Sequence, residues 1–261
     1  MGASQTKDAQ QSGLTDPGTS VELHELCKQF SATGPVILQD ITLSVARGEF
    51  VSLVGASGCG KSTLLNIVSG LDQQTSGTVA TDGPATLMFQ EAALMPWLTA
   101  GKNVELALTF AGVPKNARKE RAEELLALVH LERSFNQRPH ELSGGMKQRV
   151  AIARALAQER NVLLMDEPFA ALDAITRDLL HEELTRIWAE TGIAIIFVTH
   201  NVREAVRLSE RVLLMSSRPG RIIKEWHIGK HEPWRLDSPD VASIASDITD
   251  HLRKEILRHA N

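Results

Sequence analysis

The run Gly55-Ala56-Ser57-Gly58-Cys59-Gly60-Lys61-Ser62 lies between an apolar stretch, Phe50 to Val54, and a helix-like stretch from Lys61 to Ser69 that Gly70 closes. It fits G-x-x-x-x-G-K-[ST], and it stands after a strand and before a helix, the setting this pattern requires. Glycines let successive backbone amides turn inward around a phosphate, and the following helix presents the positive end of its dipole. Lys61 is placed to reach β- and γ-phosphates as a point charge, and Ser62 offers a hydroxyl to Mg²⁺. With Thr63, residues 55–62 form the expected cradle of a nucleoside triphosphate.

Short apolar runs recur downstream: Ala85 to Phe89, Val162 to Met165, Ala194 to Val198 and Arg211 to Met215. Their near-continuous apolar character suits a parallel sheet covered on both faces. Helical patterns over Met146 to Gln158, Ala174 to Glu190 and Val202 to Leu208 alternate with them, which points to an α/β fold. Residues 100 to 140 break that rhythm and read as an inserted helical subdomain. Val21 to Phe30 and Val36 to Val45 alternate as antiparallel strands with one exposed face. Residues 1–20, rich in Gln, Ser, Thr and Gly, read as a flexible tail without a secretory signal core. After residue 229, Val241, Ile244, Ile248, Leu252 and Ile256 fall at helical spacing, and the simplest reading packs that helix on the domain.

Two further motifs carry chemistry. Asp166 and Glu167 end an apolar strand, where side chains reach past the sheet edge into a ligand crevice. Asp166 is expected to hold Mg²⁺, directly or through water, and Glu167 to polarise an attacking water as general base. The second is Leu142-Ser143-Gly144-Gly145-Met146, another glycine pair at the head of a helix. Ser143 can donate a hydroxyl hydrogen bond, while Gly144 and Gly145 permit close backbone approach. One nucleotide does not need two such cradles in one subunit.

Gly55 to Ser62, Gln90, Leu142 to Met146, Met165-Asp-Glu-Pro168, Ala171-Leu-Asp173 and Val198-Thr-His200 fall in the order seen in ATP-binding cassette (ABC) transporter ATPases. The resemblance covers roughly residues 20 to 225. It implies a P-loop NTPase core of the RecA-like kind with a mostly parallel sheet, an N-terminal antiparallel β subdomain and an inserted α-helical subdomain. The implied ATPase domain runs over 21–228 with its helical part at about 100–158, followed by an extension over 229–261. It also implies a head-to-tail homodimer that sandwiches ATP, the loop of one protomer facing Ser143, Gly144 and Gly145 of the other. Residue by residue, Gln90 matches a glutamine that contacts Mg²⁺ and the attacking water. His200 matches a switch histidine at the γ-phosphate, and Asp173 a loop linking the two sites. Phe30 occupies the approximate place of an aromatic that stacks on adenine, with a core aromatic as the competing reading; the chain contains no tyrosine.

Met95-Pro-Trp97-Leu-Thr99, Ala171 to Arg177 and Ser217-Arg-Pro-Gly220 look like the nitrate, sulfonate and taurine group of bacterial importers. Asn201 departs from the family, where many relatives carry Asp. The apolar, Trp-centred segment beyond Gln90 is suited to a helix of a permease, although Trp97 could equally be buried. No apolar run approaches the roughly 20 residues needed to span a bilayer. Any transport therefore requires separate integral membrane permease subunits; the resemblance further implies, indirectly, a solute-binding protein, and a peripheral place for this chain on the cytoplasmic face of the inner membrane. A formal net charge of −4 without a basic cluster argues against nucleic acid. The two cysteines, Cys27 and Cys59, have no metal-like spacing and fit a reducing compartment. The alternatives are a soluble cassette ATPase acting on nucleic acid or ribosomes, and a P-loop kinase.

Overall fold

The computed structural model describes residue 16, residues 18–229 and residues 239–259. Two long strands come first, β1 (Thr19–Gln29) and β2 (Val36–Ala46). Next come β3 (Phe50–Gly55), helix α1 (Lys61–Val68), β4 (Ser76–Thr81) and β5 (Thr86–Met88). Helices α2 (Ala100–Phe110), α3 (Arg118–Leu128) and α4 (Gly144–Leu156) follow. The rest alternates: β6 (Val162–Asp166), α5 (Ala174–Thr191), β7 (Ala194–Val198), α6 (Val202–Leu208) and β8 (Arg211–Met215). It ends with β9 (Ile222–His227) and α7 (Pro239–His259).

Six strands form one sheet in the order β5-β6-β7-β3-β8-β9, parallel except for the final β8–β9 pair. Every residue of β3 and β7 is buried, as expected where helices cover both faces. Val198 pairs with Leu53 on one side and Asp166 on the other, so β3, β7 and β6 end at one edge. That edge receives Gly55, Asp166 and His200 together, the usual ligand side of an open α/β sheet.

A second, antiparallel sheet has the order β2-β1-β4. Ile41, Leu43 and Val45 point inward and Thr42 and Ser44 outward along β2, the period of a half-buried strand. Strand β1 takes in Thr19 and Ser20, the last two residues of the expected tail: both are buried, with Thr19 opposite Ala46. Residues 1–15 and 17 lie outside the described residues. Strands β4 and β9 carry too little apolar pattern to be read from sequence. Each exists by pairing along a stronger neighbour, β1 and β8 respectively.

The helices over residues 100–156 share their core with the main sheet. Val104 and Leu108 of α2, Leu126 of α3 and Val150 of α4 join Phe50, Met165 and Phe197 in one apolar cluster. Helix α7 packs on the domain through Val241 and Ile248 against Ala205, Val206 and Leu214. Asp247 of α7 also accepts hydrogen bonds from Trp226 Nε1 at 2.7 Å and Lys224 Nζ at 3.0 Å. Among the described residues no helix is long and apolar enough to cross a membrane.

Candidate nucleotide site

Strand β3 hands over to the phosphate loop at Gly55, where a Cβ would stand 2.9 Å from Cys59 Sγ and 3.1 Å from the Met215 carbonyl oxygen. Gly58 and Gly60 adopt φ of 76° and 105°, backbone that L side chains rarely tolerate. Helix α1 has neither a side-chain cap at Gly60 nor an acid in its first turn, so its leading N–H groups and dipole are left for an anion. Lys61 is buried, and its Nζ donates to the carbonyls of Gly55 and Ala56, each at 2.9 Å. Burial pushes the Cys59 thiol up, which makes it a packing group under the loop.

The loop, Ser62 and Thr63 line a cleft of about 250 Å³ with Phe30, Glu167 and Arg218. Phe30 is 66% exposed, so it is not a core aromatic; Lys28 Nζ lies 4.8 Å from its ring centroid. A larger cleft of about 550 Å³ is lined by Gly48, Asn161 and Ile193, which precede β3, β6 and β7. It therefore lies at the opposite edge of the sheet, away from these motifs.

Asp166 ends β6 with its carboxylate accepting a hydrogen bond from the Ser62 hydroxyl. Burial is the strongest influence and pushes its pKa up. The Ser62 hydrogen bond and the Lys61 charge oppose that rise, while Glu167 adds to it. Glu167 sits at φ 46°, a left-handed conformation costing an L residue about 1–2 kcal/mol, and its N–H donates to the Val198 carbonyl at 2.9 Å. His200 Nδ1 lies 3.0 Å from Glu167 Oε2. Behind His200 a buried network closes: the Thr199 hydroxyl donates to Glu204, whose Oε1 lies 2.7 Å from His181 Nε2.

Gln90 is exposed just past β5, and its carbonyl accepts from Gln148 Nε2 of α4 at 2.8 Å. Arg154 of the same helix donates to the carbonyls of Ala93 and Ala92 at 2.7 and 2.8 Å; burial pulls its pKa down. The segment after Gln90 is therefore tied to the helix that begins at Ser143. Ser143 caps α4, its Oγ accepting from Met146 N at 3.3 Å. A Cβ on Gly145 would stand 2.4 Å from Thr176 Cγ2, so α4 and α5 meet there without room for a side chain. Asp173 caps α5, its Oδ1 accepting from Thr176 N at 3.0 Å, and hydrogen bonds from Thr176 hold its carboxyl low. Ser143, Gly144, Gly145, Asp173, Gln90 and His200 do not line the P-loop cleft within the single chain. Trp97 is 69% exposed, on a loop pinned by Asn103, whose Oδ1 accepts from Met95 N at 2.8 Å.

A family profile described as ABC transporter matches residues 38–170. An aliphatic sulfonates import ATP-binding protein of Bacillus cereus is 44% identical over 249 residues, 92% of this chain and 95% of that protein. The chain belongs to the ABC transporter family. A nitrate import ATP-binding protein of Synechocystis is 48% identical to this cassette over 73% of the chain and 74% of that protein. Among solved structures, a dimeric ATP-binding cassette in a post-hydrolysis state bound to ADP and Pi is 35% identical. Its TM-score is 0.70, covering 81% of this cassette and 100% of that chain. The cassette is an ATPase of this family, with the fold its motifs implied. Three groups at the site escaped the sequence reading. Arg218 stood out only within a subgroup signature, and nothing in sequence placed Gln148 or Arg154 under the Gln90 segment.

Proposed function

We propose that this cassette is the ATP-hydrolysing subunit of a bacterial importer for a small oxyanionic solute such as nitrate, a sulfonate or taurine. The carrying observation is the split site. Lys61, Ser62, Asp166 and Glu167 converge at one sheet edge, while Ser143 and Gly144 are exposed outside the cleft, available to a second copy, with Gly145 buried behind them against Thr176. Relatives named for nitrate and sulfonate import support the solute class.

In this reading, Phe30 stacks on adenine and the loop amides with Lys61 hold the phosphates. Ser62 and Asp166 would hold Mg²⁺, with Gln90 completing the oxygen donors. The set fits a hard cation, because a desolvated carboxylate beside a hydroxyl gains from positive charge. When bound, Mg²⁺ neutralises charge on the β- and γ-phosphates. Glu167 takes the proton of the attacking water, and His200 orients Glu167 and approaches the γ-phosphate. Ser143, Gly144 and Gly145 of one protomer close on the ATP of its partner, and Asp173 communicates between the two sites. The Gln90 segment, tied to α4, relays closure to permease subunits docked at Trp97 on the cytoplasmic face of the membrane, with a solute-binding protein beyond them.

The alternative of a soluble cassette acting on nucleic acid or ribosomes has no support among these relatives. Purifying the tagged chain from detergent-solubilised cells and identifying what accompanies it is the test. An integral membrane protein is expected; ribosomal or nucleic-acid material in its place would sink the proposal.

A further inference from the structure

The turn between β8 and β9 is docked on the phosphate loop by hydrogen bonds and close backbone approach. Ser216 Oγ accepts from Arg221 N at 2.9 Å and donates to the Pro219 carbonyl at 2.7 Å. Gly220 N donates to the Ile37 carbonyl at 2.8 Å, and the Gly220 carbonyl accepts from Gln39 N at 3.0 Å. A Cβ on Gly220 would stand 2.2 Å from the Cys59 carbonyl oxygen, so the turn lies directly against the loop backbone.

This turn carries Arg218. Its Nε donates to the Gly58 carbonyl at 2.9 Å, which anchors the guanidinium over the loop. A Cβ on Gly58 would lie 3.5 Å from an Arg218 terminal nitrogen, so that end also stays close to the loop. The side chain is exposed and borders the same cleft as Phe30, Lys61 and Glu167. Among the described residues it makes no ion pair, and its hydrogen bond to Gly58 leaves the terminal N–H donors uncommitted. A fixed guanidinium with free donors, facing a cradle built for polyphosphate, matches phosphate oxygens in charge and geometry.

We propose that Arg218 is a second phosphate-binding cation of this site, donating to the phosphate chain of the bound nucleotide alongside Lys61. This rests on the reading of Gly55 to Ser62 as the nucleotide cradle.

The test is ATP binding by calorimetry and steady-state hydrolysis for the full chain and four variants: Arg218→Ala, Arg218→Gln, Arg218→Lys and Lys61→Ala. Arg218→Ala and Arg218→Gln are each expected to raise the ATP Kd and KM about tenfold, the size of a lost charge-assisted hydrogen bond. Both should also flatten the dependence of affinity on salt. Arg218→Lys is expected to keep much of the affinity, because it keeps the charge. The nucleotide-free melting temperature should stay near that of the parent in all three. Glutamine can still donate to Gly58, so ATP affinity within twofold of the parent for Arg218→Gln overturns the proposal. So does an affinity loss in Arg218→Ala that tracks a lowered melting temperature and that Arg218→Lys shares in full. If Arg218 variants bind normally while Lys61→Ala does not, the nucleotide site stands and only Arg218's role falls. Normal ATP binding by Lys61→Ala removes the nucleotide reading itself.

Discussion

His200 Nδ1 stands 3.0 Å from Glu167 Oε2, so one hydrogen bond joins the residues that follow two neighbouring strands, β7 and β6. With Glu167 ionised, the imidazole N–H donates and the carboxylate accepts, which fixes the direction in which the base points. Glu167→Gln keeps the shape and can still accept from His200, but it cannot take a proton from water. ATP binding is therefore expected to survive while kcat falls by roughly 10²- to 10⁴-fold, the usual worth of a general base. Phosphate release and light scattering measure both sides, since ATP-bound dimer should accumulate. Undiminished hydrolysis removes Glu167 from the mechanism.

The position of His200 depends on what lies behind it. Thr199 and His181 both bond to Glu204, and all three are buried. Glu204→Ala strands two buried polar partners and is expected to cost about 3–5 kcal/mol of stability. Glu204→Gln should cost much less, because its carbonyl still accepts from Thr199. Urea unfolding midpoints compare both with the parent, and a Glu204→Ala midpoint equal to the parental one would show that the network contributes nothing.

The loop, the acid pair and the helix at Ser143 were legible because short-range spacing dictates them: glycines at left-handed φ, an apolar strand before Asp166, a capping serine. Helix α6 has the limits that the pattern over Val202 to Leu208 implies, and the structure adds that Asn201 caps it through two backbone N–H groups. Contacts between distant segments were not legible. Arg218 meets Gly58 across 160 residues of chain and Gln148 meets Gln90 across 58; no local period encodes either meeting. Strand β4 was missed for the same reason, being held by β1 rather than by its own pattern.

Asp166 should make stability depend on pH in the nucleotide-free protein. Burial raises its folded pKa above the unfolded value, so its contribution is fully present below the ordinary aspartate pKa. It is then lost as pH rises through the elevated value. Asp166→Asn removes that penalty and is expected to raise the melting temperature at neutral pH, by about 2–4 °C for each kcal/mol relieved. The same variant should lose the extra protection that Mg²⁺ adds to ATP. Thermal melts at about pH 4 and pH 7 decide the matter; a gain no larger at pH 7 than at pH 4 contradicts this account of the carboxylate.

Trp97 is exposed on a loop that Asn103 holds in place, an expensive arrangement for an indole unless something covers it. Trp97→Ala is expected to leave melting temperature and basal ATP hydrolysis unchanged in the isolated chain. Recovery of the membrane partner should fall by about 30-fold or more, as for a central interface anchor. Undisturbed co-purification would place the contact elsewhere on the surface.

The split between the P-loop cleft and Ser143 can be tested by where two defects are placed. Lys61→Ala disables the loop and Ser143→Ala the opposing donor. In a head-to-tail dimer, putting both changes in one protomer beside an unaltered partner spoils both composite sites, one through each defect. Putting one change in each protomer concentrates the damage in a single site and leaves the other intact. Tagged mixed dimers purified over two affinity steps should show about half of parental ATP turnover in the second arrangement, in line with one site in two, and close to none in the first. A site complete within one chain gives the reverse order, because the unaltered protomer then works alone. Ser143 caps α4 as well, so melting temperatures of both mixtures need to match before rates are compared. The sign of the difference between two mixtures of identical composition then reports whether Ser143 serves its own nucleotide or its partner's.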